Sequence, residues 1–424
     1  MSKVFKIHLI VGARPNLVKA APLLRALRSK PEWFDCTLVD TGQHYDRALA
    51  GIFREQFEMG EPDVSLCVGS GTHGKQTAAV LERYEAYILE KAEHRPDAVV
   101  VLGDVNSTVA CALAASKLHI KVVHLESGLR SRDRSMPEEI NRILTDQLAD
   151  LLWTPSEDAD ANLLGEGIAK EKVECVGNIM IDSLVAMLPA VSSRQAWKEY
   201  GVNEGDFAVT TLHRPANVDD EVELKKLCDI LLDISQLKTL VWPIHPRTRA
   251  RLKASPSLYS LLTSSPRIIM TDPLGYVEFL SLVSKASFVV TDSGGIQEET
   301  SWLGIPCLTL RPNTERPITI SKGTNTLVPI MSEVVGHAAR IVAEQREHAD
   351  GGQQRGRESE NRQSSADAGE KRRKIGDKGD SMEESVGSVA KRPSIHPLWD
   401  GHTATRCVNS LYLFLNGALG EKEC

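Results

Sequence analysis

Short, unbroken apolar runs alternate with longer helical patterns along most of the chain. FKIHLIV is followed by the helix-like NLVKAAPLLRALRSK; then come CTLVD, VSLCV, DAVVVLG, KVVHLES and DLLWTPS, separated by stretches such as STVACALAASKL. Runs that are apolar throughout, rather than at every second residue, suit parallel strands covered on both faces. Strand–helix alternation implies βαβ units and a doubly wound α/β domain. From about Asn203 the pattern restarts in DFAVTTLH, KTLVWPIHP, PRIIMTD, SFVVTDS and IPCLTL, which predicts a second domain of the same class. The 424 residues suffice for two such domains.

Composition narrows the function class. The net charge of −7 gives no general attraction for nucleic acid or an anionic membrane. The cysteines at 36, 67, 111, 175, 228, 307, 407 and 424 are scattered without a CxxC pair. They read as small residues of a reducing compartment, not as a disulfide frame or a zinc site. The N-terminal run is broken by Lys6 and His8 and is too short for a signal or membrane segment. A soluble cytoplasmic protein is the expectation. Between Glu344 and Arg392 there is no aromatic residue, and the stretch is polar, charged and rich in Gly and Ser. Too little apolar surface is available there to offset the entropy of ordering, so residues 344–392 are predicted to be disordered. Its basic cluster KRRK reads as a solvated charge run. The chain turns apolar and helical again at HPLWDGHTATRCVNSLYLFL, which makes the tract an insertion rather than a tail.

In open α/β sheets, ligands bind beyond the carboxyl ends of the strands. The strand-end residues are therefore candidates: Arg14 in GARPN with Lys19 on the following helix, Asp104 after DAVVVLG, Glu126 after KVVHL, His213 after AVTTL and His245 after LVWPI. SFVVTD runs into Ser293, Gly294 and Gly295, where two glycines allow close approach and a helix N-terminus suits phosphate. Either Glu298 or Glu299 could sit against that dipole or accept from ribose hydroxyls, and Arg311 and Arg316 lie downstream as anion partners. Each residue alone has an ordinary reading as a cap or turn; together they set acids, bases and cations on one rim. Glu138 is ambiguous, because Ser135-x-x-Glu138 with Pro137 also fits a capping box.

Two further patterns point to a nicotinamide cofactor and are discounted. Gly69 to Gly74 fits GxGxxG, but the glycine fingerprint belongs to the first βα turn, which here is GARPN. Tyr87 and Lys91 fit YxxxK but are one turn apart on an amphipathic helix, where packing and solvation explain them.

The motifs GARPN-x-x-K, TGQHYD, LGDVNST, HLESGLR, MPEEINR, TLHRPAN, PIHPR, TDSGGIQEE and NTERP occur in that order. Together they resemble the non-hydrolysing UDP-N-acetylglucosamine 2-epimerases, over about Lys6–Val328 and again over Pro397–Leu413. The resemblance implies two Rossmann-like domains in the glycosyltransferase-B arrangement. Their expected bounds are 1–178 joined by a returning C-terminal helix in 400–424, and 179–343. It implies interconversion of UDP-GlcNAc and UDP-ManNAc through a glycal, with neither NAD nor metal, in a homodimer. A 2-epimerase of a modified UDP-HexNAc and a hydrolysing 2-epimerase are the alternatives. By the same resemblance Asp104, Glu126 and Glu138 surround the sugar and His213 is a further catalytic group. Arg14, Lys19, His245, Ser293, Gly294, Gly295, Glu299 and Arg316 match positions that contact UDP. The chain departs from the family at Asn16 and Ile318, where Glu is usual, and at Val105 and Ser127, where Thr and Ala are usual. Gln43 and His44 match positions where some members bind an activating second UDP-GlcNAc.

Overall fold

The computed structural model describes residues 3–42, 47–328, 333–347 and 395–418. Two parallel sheets carry the chain. The first contains β1 (Phe5–Val11), β2 (Phe34–Asp40), β3 (Val64–Ser65), β4 (Ala98–Leu102), β5 (Lys121–Leu125), β6 (Leu151–Thr154) and β7 (Val173–Cys175), in the order β3-β2-β1-β4-β5-β6-β7. The second contains β8 (Phe207–Thr211), β9 (Thr239–Pro243), β10 (Ile268–Thr271), β11 (Val289–Thr291), β12 (Cys307–Thr309) and β13 (Asn325–Leu327), in the order β10-β9-β8-β11-β12-β13. Each order reverses once, between β1 and β4 and between β8 and β11, which is the doubly wound topology expected from the repeated apolar runs. Every residue of β4 is buried, as a central strand with helices on both faces requires.

Two details differ from the sequence reading. VSLCV yields a strand of only Val64–Ser65, because Cys67 takes a left-handed backbone (φ 52°) that ends the extended run. The short edge strands β7 and β13 lack the apolar run that marks the others: VEC and NTL are only partly buried.

The domains are packed against one another. The linking helix Ile179–Arg194 contributes Met180, Leu184 and Met187 to the core of the first sheet. Against it, and against the helix Arg47–Gln56, lies the second domain's helix Tyr276–Val283. The Tyr276 ring lies 5.2 Å from that of Phe57, and Gln56 accepts from the Tyr276 N–H (3.1 Å) while donating to Glu278 (3.1 Å).

The last described helix, Thr403–Leu415, returns to the first domain. Its first N–H groups donate to the buried Asp182 carboxylate (3.1 and 2.7 Å), an N-terminal satisfaction supplied from another helix. Ser410 accepts from Trp153 Nε1 (2.9 Å), and Tyr412 stacks on Trp33 at 4.3 Å. The expected insertion begins later than position 344: residues 333–347 form a helix, and Gln345 donates to the Ser287 carbonyl (2.8 Å). The rest of the expected insertion, residues 348–392, lies outside the described residues.

Candidate active site

The carboxyl ends of both sheets meet at the two switch points, and the charged residues gather there. After β1 the turn is organised by Asn16, whose side chain accepts from the Gly12 and Ala13 N–H groups (3.3 and 3.1 Å) and donates to the Leu102 carbonyl (3.1 Å). The departure at this position is thus absorbed by the backbone of the β1 and β4 turns. Arg14 opens the helix Arg14–Arg28, and Lys19, one turn further, is buried with its ammonium against Glu126.

Glu126 ends β5 in a left-handed conformation (φ 69°) that non-glycine residues rarely adopt. One carboxylate oxygen meets Lys19; the other accepts from Arg316 Nη2 of the second domain at 2.8 Å. Gly103, between β4 and Asp104, also has positive φ (62°), and a Cβ there would stand 2.9 Å from Lys19 Nζ and 3.1 Å from Glu126 Oε2. Only glycine allows both carboxylate turns to sit so close. Asp104 pairs with Arg142 Nη2 at 2.6 Å. Burial pushes the Asp104 carboxyl up, but Arg142 and Lys19 outweigh it and hold it below the usual range.

The pair Glu138–Glu139 divides between two roles. Glu139 is buried and accepts from the Ser131 N–H and hydroxyl and the Arg132 N–H (each 2.9 Å) and from Arg142 (2.7 Å), which ties down the basic loop. Glu138 is half-buried and takes no part in tying down that loop. The capping box does not form. Met136 is the N-cap, and the Ser135 hydroxyl and N–H instead donate to Asp133 (2.6 and 3.0 Å), a nearer acceptor. Pro137 does open the helix, as expected.

On the opposite rim His213 faces the buried Asp292, with Nδ1 3.0 Å from Oδ1. The same carboxylate accepts the N–H groups of His213 and Arg214 (2.9 and 2.8 Å) and the Asn217 amide (3.1 Å). Burial raises the Asp292 carboxyl, yet its hydrogen bonds with His213 and the backbone lower it further, so it stays ionised. An ionised Asp292 favours the tautomer with the proton on Nδ1, which leaves Nε2 as the basic nitrogen of the ring. The His245 ring lies 5.1 Å from that of His213, and its own Nδ1 accepts from the Arg247 N–H (3.2 Å) at a helix N-cap.

Ser293 caps the helix Gly294–Leu303 without a side-chain bond. A Cβ at Gly294 would lie 2.6 Å from Glu315 and 2.7 Å from Arg316, so the turn admits no side chain there; at Gly295 the space is open. Arg316 touches three buried carboxylates: Glu126, Glu298 (3.0 Å) and Glu315. Glu315 also meets Arg311 at 2.8 Å and lies 4.0 Å from Arg142. Of the acidic pair, Glu298 meets Arg316, whereas Glu299 is enclosed beside Tyr276. Burial pushes both carboxyls up to about 7.

The description "UDP-N-acetylglucosamine 2-epimerase" belongs to the family model that matches residues 25–361. The chain belongs to this family. Its relatives include the UDP-N-acetylglucosamine 2-epimerase of Methanocaldococcus jannaschii, 42% identical over 80% of this chain and 92% of the relative. A second is the UDP-2,3-diacetamido-2,3-dideoxy-D-glucuronate 2-epimerase of Pseudomonas aeruginosa, 39% identical over 79% and 91%. The M. jannaschii enzyme in complex with UDP-GlcNAc and UDP superposes with a TM-score of 0.73, covering 80% of this chain and 92% of that one. The glycosyltransferase-B-like architecture expected from the motifs is therefore present in this epimerase.

Lys19, Glu126 and Arg316 come together in one buried network, which the half-buried Asp104 joins through Arg142 and Glu315, and His213 and His245 come together on the facing rim. Glu299 stands apart from that network. The Arg14 side chain, and Gln43 and His44, lie outside what is described. Ile318, the other departure, packs with Ile181, Ile395 and Trp399 as a core residue. Sequence reasoning overlooked Arg142, Asp292 and Glu315. Arg142 could have been found on the helical face it shares with Glu138, and Asp292 from its place at the end of SFVVTD. Among the described residues no group of His, Cys, Asp and Glu is arranged to hold a metal ion, and no helix is long and apolar enough to cross a membrane.

Proposed function

We propose that this epimerase interconverts UDP-GlcNAc and UDP-ManNAc by elimination and re-addition of UDP. The observation that carries this reading is the Lys19–Glu126–Arg316 network beside Asp104, opposite the His213–Asp292 pair. The C2 proton of the sugar is not α to a carbonyl, so departure of UDP must make it acidic. The C1–O bond breaks with its electron pair going to the diphosphate. A base takes the C2 proton, and the C1–C2 double bond of a glycal forms. Protonation of C2 on the other face and return of the diphosphate oxygen to C1 complete the inversion.

The chain offers a group for each demand. Arg316, Lys19 and the helix N-terminus at Ser293–Gly294–Gly295 stabilise the departing diphosphate, with Arg14, His245 and Glu299 completing the UDP contacts. Asp104, Glu126 and Glu138 supply carboxylates, and His213 supplies an imidazole whose tautomer Asp292 sets. No step in this scheme calls for a cofactor. We further propose a cytoplasmic homodimer, a reading that rests on the family likeness and that light scattering and cell fractionation test.

The relative acting on a diacetamido uronate supports a second substrate reading, since its identity of 39% stands close to the 42% of the UDP-GlcNAc enzyme. Incubation with each UDP-sugar, followed by proton NMR of the anomeric signals, decides between them. UDP-ManNAc forming from UDP-GlcNAc supports the first. Turnover of the uronate alone supports the second, and free ManNAc would mean hydrolysis.

A further inference from the structure

Beneath Asp104 and Glu126 lies a buried charged network with no place in the scheme above. His124 is the fourth residue of β5 and is fully enclosed, as is Asp146 on the helix Pro137–Leu148. His124 Nε2 lies 2.8 Å from the Gly103 carbonyl oxygen, and Nδ1 lies 2.6 Å from Asp146 Oδ1. Asp146 Oδ2 accepts the Gly128 N–H (3.2 Å) and pairs with Arg130 Nη1 (2.7 Å). Arg130 then grips Glu166 with Nε and Nη2 at 2.8 and 2.6 Å.

A carbonyl oxygen can only accept, so Nε2 carries a proton, and Asp146, held below the usual carboxylate range despite its burial, faces Nδ1. The network sets His124 and Arg130 against Asp146 and Glu166, and its inner pair is wholly desolvated. Such an arrangement gains little stability over apolar packing, so it is better explained by the geometry it enforces.

That geometry is specific. Gly103 immediately precedes Asp104, and Gly128 follows Glu126 by two residues. Gly103 and Gly128 take positive φ (62° and 78°) at no steric cost, but Glu126 between them does so as a non-glycine residue (69°), a strained conformation that its surroundings must hold. We propose that His124, clamped between Asp146 and the Gly103 carbonyl, is a positioning residue that locks Asp104 and Glu126 at a fixed separation. It makes no contact with the sugar itself. This inference rests on the assignment of Asp104 and Glu126 to the sugar.

The test uses the full chain carrying His124→Gln or Asp146→Asn, both of similar volume, beside Asp104→Asn and Glu126→Gln. Circular dichroism checks folding, calorimetry reads UDP affinity, and steady-state kinetics separate kcat from KM. Displacing the carboxylates by a fraction of an ångström to 1 Å is expected to lower kcat about 100-fold in a folded His124 or Asp146 variant. KM and UDP affinity should stay within about threefold of wild type, since those contacts lie elsewhere. Wild-type kcat in folded His124→Gln would overturn the proposal, as would an equal loss of kcat and UDP affinity. If neither variant folds, the network is structural only and the proposal fails. Full activity in Asp104→Asn and Glu126→Gln would instead overturn the carboxylate assignment, a distinguishable result.

Discussion

Arg316 of the second domain and Glu126 of the first meet across the cleft at 2.8 Å, with Lys19 on the far side of the same carboxylate. Arg316 also meets Glu298 and Glu315, so one guanidinium bridges three buried acids, with Lys19 and Arg311 sharing two of them. Replacing it with Met removes the cation facing Glu298 and weakens the compensation of the other two, and should destabilise the protein by about 3–5 kcal/mol. Arg316→Lys keeps the charge but loses the planar fork, and is expected to lower kcat/KM about 100-fold. Denaturant unfolding and initial rates check the two variants.

Stability should depend on pH through Glu299. Burial raises its carboxyl from 4.5 to about 7, so between those values the folded chain holds a proton that the unfolded chain has released. Stability therefore falls as pH rises through that window, by about 3 kcal/mol at most. Glu299→Gln stays neutral throughout and should make the profile shallower, leaving the slope that Glu298, raised to about 7 as well, contributes. Melting temperatures of the two proteins from pH 5 to 8 check this; parallel profiles would contradict it. The lowered carboxyls of Asp104 and Asp292 act in the opposite sense and at lower pH, adding stability that is lost as acid protonates them.

Asp292→Asn should separate orientation from charge at His213. The amide no longer holds the proton on Nδ1, and the loss in kcat is expected to be about 100-fold or more. KM should move far less. A kcat unchanged from wild type would remove His213 from the proton-transfer steps.

The returning helix makes a stability prediction that leaves catalysis alone. Trp153→Phe keeps the ring in the core but loses the hydrogen bond to Ser410. Unfolding free energy should fall by about 1–2 kcal/mol, with kcat unaltered.

Strand ends were readable because unbroken apolar runs terminate at fixed points, and a doubly wound sheet brings those points to one edge. Asp104, Glu126, His213 and Ser293 were found that way. Their partners were not, because pairing depends on elements far apart in the chain: Arg142 reaches Asp104 from a helix that packs beside β5 only after folding. Glu138 and Glu139 look equivalent in sequence, and only helical rotation buries Glu139 against the loop while leaving Glu138 half-buried. Ser135 matched a capping box that fails because Asp133, two residues before it, offers a closer acceptor. His124 sits within a strand and reads as an interruption of KVVHL until Asp146 is seen beside it.

Epimerisation in D₂O tests the central claim most directly. With UDP-GlcNAc as substrate, C2 of both epimers should acquire one deuterium as the two equilibrate, because the proton leaves to a protein group that exchanges with solvent. Formation of UDP-ManNAc with its C2 hydrogen retained would contradict elimination and re-addition through a glycal.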